Sequence, residues 1–127
     1  MRKVCAGLTV AVFVLALGAV AFAATQTISG QLIDQTCYKM NSSNTGVDHK
    51  MPSGDVKDCA TTCARMGRPL ALLTADGKVY TVTGDLASNS NAKLVPHMSH
   101  KVELTGDVTE AGGTMTIAAT SLKMISK

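Results

Sequence analysis

The chain has no tryptophan, and past its first 23 residues its only aromatic side chains are Tyr38 and Tyr80. Charge is also sparse: 17% of residues are Asp, Glu, Lys or Arg, and no like-charged run exceeds two. Of twelve basic residues, Arg2 and Lys3 lie at the extreme N-terminus, which leaves ten against nine acidic ones, a formal charge of about +1. Single-strand binding needs aromatic platforms in a basic groove, so the chain lacks the parts for nucleic-acid recognition. A near-neutral surface gives anionic lipid no electrostatic handle either. Catalytic signatures are equally scarce. No Gly-x-Ser-x-Gly or phosphate-loop motif occurs, and no carboxylate pair is spaced for acid–base work. No Cys-x-x-Cys is present, which removes both the thioredoxin motif and c-type haem attachment.

One long apolar run is present, at the N-terminus. Arg2 and Lys3 precede Val4–Val20, and Ala21-Phe22-Ala23 supplies a small-x-small cleavage pattern. This is the layout of a secretory signal covering residues 1–23. The run of ~17 residues is short for a ~30 Å bilayer core, so no membrane span is expected once the signal is removed. Cys5 leaves with it. Residues 24–127 then form a single domain of about 104 residues, periplasmic or secreted.

That address makes the remaining cysteines informative. Cys37, Cys59 and Cys63 are three thiols in an oxidising compartment, and an odd number cannot all pair within one molecule. Cys59 and Cys63 fall one helical turn apart, with Cβ atoms ~6 Å apart against ~3.8 Å in a relaxed disulfide. A disulfide from Cys37 to either one is feasible, and closing a loop of about 20 residues contributes roughly 3 kcal/mol. The other reading is a metal site. Soft thiolates favour zinc or copper, with Cys37, Cys59 and Cys63 as ligands and His49 as a fourth. A second cluster, His97-Met98-Ser99-His100, adds His97 and His100 as candidate ligands, and Met40, Met51 and Met66 are copper-compatible donors. In the plainer reading Met98 fills core space and the two histidines stand in solvent at a strand entrance. A free cysteine acting as a nucleophile with one of the histidines would make the chain an enzyme, but no spacing brings such a pair together.

The patterning predicts mainly strands. Thr27–Asp34 alternates, with Gly30 marking a bulge or a point of close approach. Residues 35–54 are polar and read as a long loop carrying His49. Asp55–Gly67 reads as a helix, with Asp55 as N-cap, Gly67 at the C-terminal turn and Val56, Cys59, Cys63 and Met66 on one face. Leu70–Thr74 and Lys78–Thr83 flank Asp76-Gly77 as a hairpin. A helix-compatible stretch follows to about Lys93, and Pro96 interrupts it. His100–Val108 and Thr114–Ile125 form the last two strands around Gly112-Gly113. Five strands with a helical piece between the third and fourth is the order of an OB-like barrel, an all-β class with short helices; a small open sandwich is the alternative.

SGQLIDQTCY, DCATTCARMGRPLALLT, DGKVYTVTGDL and SHKVELTGDV together cover most of residues 27–125. On these segments the chain resembles a family of small exported bacterial OB-fold proteins, most without assigned function. The resemblance implies a secreted five-stranded barrel with a cysteine-bearing loop–helix insertion after the first strand. It supplies no reaction. The expectation is therefore an exported, non-enzymatic binding or structural module whose partner is a small ligand, a metal ion or a protein. The alternative is a periplasmic zinc or copper protein using Cys37, Cys59, Cys63 and His49.

Overall fold

Alternating apolar residues build the first strand, and a glycine lets it serve two neighbours. The computed structural model describes residues 23–127, and the expected signal segment lies almost wholly outside them. Strand β1 (Ala24–Asp34) pairs antiparallel with β6 (Lys101–Ala111) along Ala24–Gln31. It then pairs antiparallel with β4 (Leu70–Leu73) along Gln31–Asp34. Gly30 sits at this changeover. A Cβ placed there would lie 2.5 Å from the Leu73 carbonyl oxygen, so the close approach expected from the sequence is what the glycine permits.

Strand β4 forms the expected hairpin with β5 (Val79–Thr83). Strand β5 runs parallel to β7 (Thr114–Ser126), which returns antiparallel to β6 across the Gly112-Gly113 turn. The protein is thus mainly β, and its five principal strands hydrogen-bond in the closed order β1-β4-β5-β7-β6. Gly106 marks a register shift between β6 and β7, and a Cβ there would stand 2.1 Å from the Ala118 carbonyl oxygen.

Inside the sheet, Leu32, Leu72, Val82, Leu104 and Ile117 are buried together. Each such side chain removed from water contributes ~1.5–3 kcal/mol. The β5–β6 connection runs through short helical turns at Asp85–Ala87, Ser88–Asn91 and Val95–His97, and supplies Leu86, Leu94 and Met98 to the same core. Met98 fills core space as its composition suggested.

The segment between β1 and β4 departs from the sequence reading. Helix α1 (Gln35–Met40) follows β1 directly, where a loop was expected. A small hairpin, β2 (His49–Met51) with β3 (Gly54–Val56), occupies the rest. The expected helix over 55–67 shortens to α2 (Cys59–Arg65). Asp55 pairs with Lys50 in the hairpin instead of capping a helix. Asp58 adopts a left-handed backbone (φ 52°), which no helix interior accepts, and its N–H donates to Asp48 Oδ1 at 2.8 Å. Helix α2 docks through Ala60 and Ala64, both wholly buried in the core. No helix among the described residues is long and apolar enough to cross a membrane.

Candidate metal centre

The end of β1 sets the site. Asp34 is the last residue of that strand and the N-cap of α1, with its Oδ1 accepting the Cys37 N–H at 3.0 Å. An aspartate in this role satisfies an otherwise unpaired helix N–H. It also fixes Cys37 three residues on, turned inward and 4% exposed. The facing thiols come from α2. Cys59 is buried and Cys63 half-buried, one helical turn apart. The Sγ atoms of Cys37, Cys59 and Cys63 all lie within 4.8 Å of one another. All three are free thiols.

A second set overlaps the first. An Asp34 carboxylate oxygen, Cys37 Sγ and a His49 ring nitrogen also lie mutually within 4.8 Å. His49 is 1% exposed and sits on β2, not in a mobile loop. Its Nε2 stands 3.0 Å from the Gly46 carbonyl oxygen. A carbonyl only accepts, so Nε2 carries the hydrogen and Nδ1 keeps the lone pair in the neutral ring. That Nδ1 is buried and unpartnered. A metal-ligating histidine is characteristically held this way, by donating its other N–H to a carbonyl. Of the expected set, Cys37, Cys59 and Cys63 converge, whereas His49 meets only Cys37 and Asp34, in a separate triad without Cys59 or Cys63. His97 and His100 join neither triad: their rings meet edge to face at 6.2 Å, half-buried just before β6. His97 has its pKa lowered by burial and by His100.

Asp34 was legible in the sequence only as the last residue of a strand, yet its position is central. It is 1% exposed, and its Oδ2 has no aligned hydrogen-bond partner. Burial pushes the Cys37 thiol up to about 12, with the Asp34 charge adding to the shift. Burial likewise raises Cys63 to about 11, and Asp34 reinforces this by drawing on the Cys63 proton. In the metal-free protein these thiols hold their protons at neutral pH. A cation supplies the positive charge that would release them.

Two asparagines brace this shell. Asn44 is wholly buried; its Nδ2 donates to the carbonyls of Cys37 (3.3 Å) and Lys50 (3.1 Å), and its Oδ1 accepts the Lys50 N–H at 2.8 Å. This ties α1 to the strand bearing His49. Asn91 reaches across to donate to the carbonyls of Ala64 and Arg68, both at 2.9 Å, which closes the C-terminal end of α2. A cavity of about 250 Å³ opens onto the thiols and is lined by Asp34, Thr36, Cys37, Met40, Met51, Cys59, Cys63 and Arg68.

Compared with known proteins, the chain matches no family model, no curated protein and no solved structure.

Proposed function

We propose that the protein is an exported binding module on an OB-like barrel and that its ligand is a thiophilic metal ion, zinc or copper. The ion is held by Cys37, Cys59 and Cys63 on the insertion between β1 and β4. The observation that carries this reading is the convergence of three free thiols within 4.8 Å on a cavity wall. A purely structural role would need only two of them. The unpartnered Nδ1 of His49, beside Cys37, supports it further, because a buried polar atom without a partner costs ~1–3 kcal/mol unless something satisfies it. The N-terminal signal pattern supports the exported address, and the closed strand order supports the OB-like arrangement.

Native mass spectrometry of the protein recovered from the bacterial periplasm tests the reading. Retention of one zinc or copper ion, lost on substitution of any one of the three cysteines, is the expected result. A mass lower by two protons, with one alkylatable thiol and no metal, would instead establish a disulfide clip between Cys37 and α2. Three alkylatable thiols that take up no added zinc or copper(I) would defeat both readings.

A further inference from the structure

We infer that the ion is copper(I), and that Met40 and Met51 form a thioether threshold over which it reaches the three cysteines. This rests on the metal reading above and assigns its cargo. Five of the eight residues lining the cavity carry sulfur: Cys37, Met40, Met51, Cys59 and Cys63. Met40 closes α1 three residues after Cys37, and Met51 follows His49 by two on β2. The same two methionines also line a second hollow of about 260 Å³, formed with Asn41, Lys50 and Pro52. The thiol cavity and this second hollow therefore adjoin at the two methionines.

Met40 is 56% exposed, an unusual position for a side chain whose ordinary use is filling core gaps. A thioether is a neutral, soft donor. It binds copper(I) and offers little to zinc, which prefers thiolate, imidazole and carboxylate. The donor count points the same way. The three thiols form one mutual set, a number that suits copper(I), and the two methionines bring the sulfur donors on the cavity wall to five. An incoming copper(I) ion would be passed from the thioethers to the thiolates by ligand exchange. Its oxidation state is unchanged, and the displaced thiol protons leave to solvent.

The test compares transfer rates in the reduced, anaerobic protein. Copper(I) is delivered from a bicinchoninate complex, and zinc(II) is loaded separately, into wild type and the Met40→Leu, Met51→Leu double variant. Leucine keeps the apolar cover at a similar volume and removes only the sulfur. Copper(I) transfer should slow by about tenfold or more, the scale on which supporting groups act at metal sites, with zinc loading unchanged. Equal copper(I) rates in the two proteins would overturn the threshold, as would a parallel fall in copper(I) and zinc rates, which marks a steric lid. If wild type takes up neither ion, the metal reading itself fails. Independently of the variant, substoichiometric silver(I) should shift the Met40 and Met51 ε-methyl NMR signals of wild type, and unshifted signals would overturn the inference.

Discussion

Asp34 and Cys37 are joined by a single hydrogen bond, Oδ1 to the backbone N–H at 3.0 Å, that does two jobs. It caps helix α1, and it holds a buried carboxylate against the sulfur cluster. Asp34→Asn separates the two, because asparagine caps about as well as aspartate but carries no charge. The Cys37 and Cys63 thiols should then titrate at lower pH, since part of each upward shift comes from Asp34. Alkylation rates measured against pH should move to lower pH in the variant. Unchanged profiles would mean the carboxylate does not govern the thiols. Asp34→Ala removes the cap as well and should cost ~1 kcal/mol of stability by denaturant unfolding.

The same thiols fix how the metal-free protein responds to alkali. Cys37 is raised from 9.0 to about 12 and Cys63 from 9.0 to about 11. Between these limits the folded state keeps protons that the unfolded chain has released. The stability contributed by the neutral thiols is full below pH 9 and falls as pH rises through 11 to 12. Urea unfolding of the reduced, metal-free protein should show this decline, and Cys37→Ala should flatten it. Bound metal reverses the protonation, because thiolate ligation expels the protons, so apparent metal affinity should instead rise with pH.

Gly30→Ala tests the closure of the sheet. A methyl group 2.5 Å from the Leu73 carbonyl oxygen cannot be accommodated by a side-chain rotation, since the obstacle is backbone. The β1–β4 pairing must shift, at a cost of about 1–3 kcal/mol. The urea midpoint should fall accordingly. A neutral substitution would show that β1 and β4 are less tightly joined than their register indicates.

The strands were readable because each carries a local signal. Alternation marks β1 and β6, Asp76-Gly77 marks the β4–β5 turn, and Gly30 marks the close approach. The insertion was not, because its structure is held by contacts distant in sequence. Residues 35–54 look like a polar loop, yet Asp34 nucleates α1 and Asn44 folds the following segment back onto it. Asp55 has the composition of an N-cap, but hairpin pairing to Lys50 and the bond from the Asp58 N–H to Asp48 outweigh that preference. Thiol spacing identified Cys37, Cys59 and Cys63 as a group. Nothing local marked Asp34 or Asn44 as their neighbours, since aspartate and asparagine in polar stretches read first as turn residues.

Asn44 gives the sharpest test of whether the insertion is built as a support for the cysteines. Its amide makes three hydrogen bonds to backbone groups of Cys37 and Lys50, all shielded or partly shielded from water. Asn44→Ala leaves the Lys50 N–H and the two carbonyls to find other partners, at about 1–3 kcal/mol for a buried donor left unpaired. The core of the five-stranded sheet contains none of these atoms, so the loss should be local: hydrogen exchange should accelerate over residues 41–51 while the β6–β7 amides stay protected. His49 lies inside the loosened segment, and Cys37 loses one of its braces. Metal affinity, read by competition with a chelator, should therefore drop by about tenfold or more, as for other supporting residues around metal ligands. Faster exchange in 41–51 with unaltered metal affinity would separate the hairpin from the site and leave the three cysteines to bind the ion by themselves.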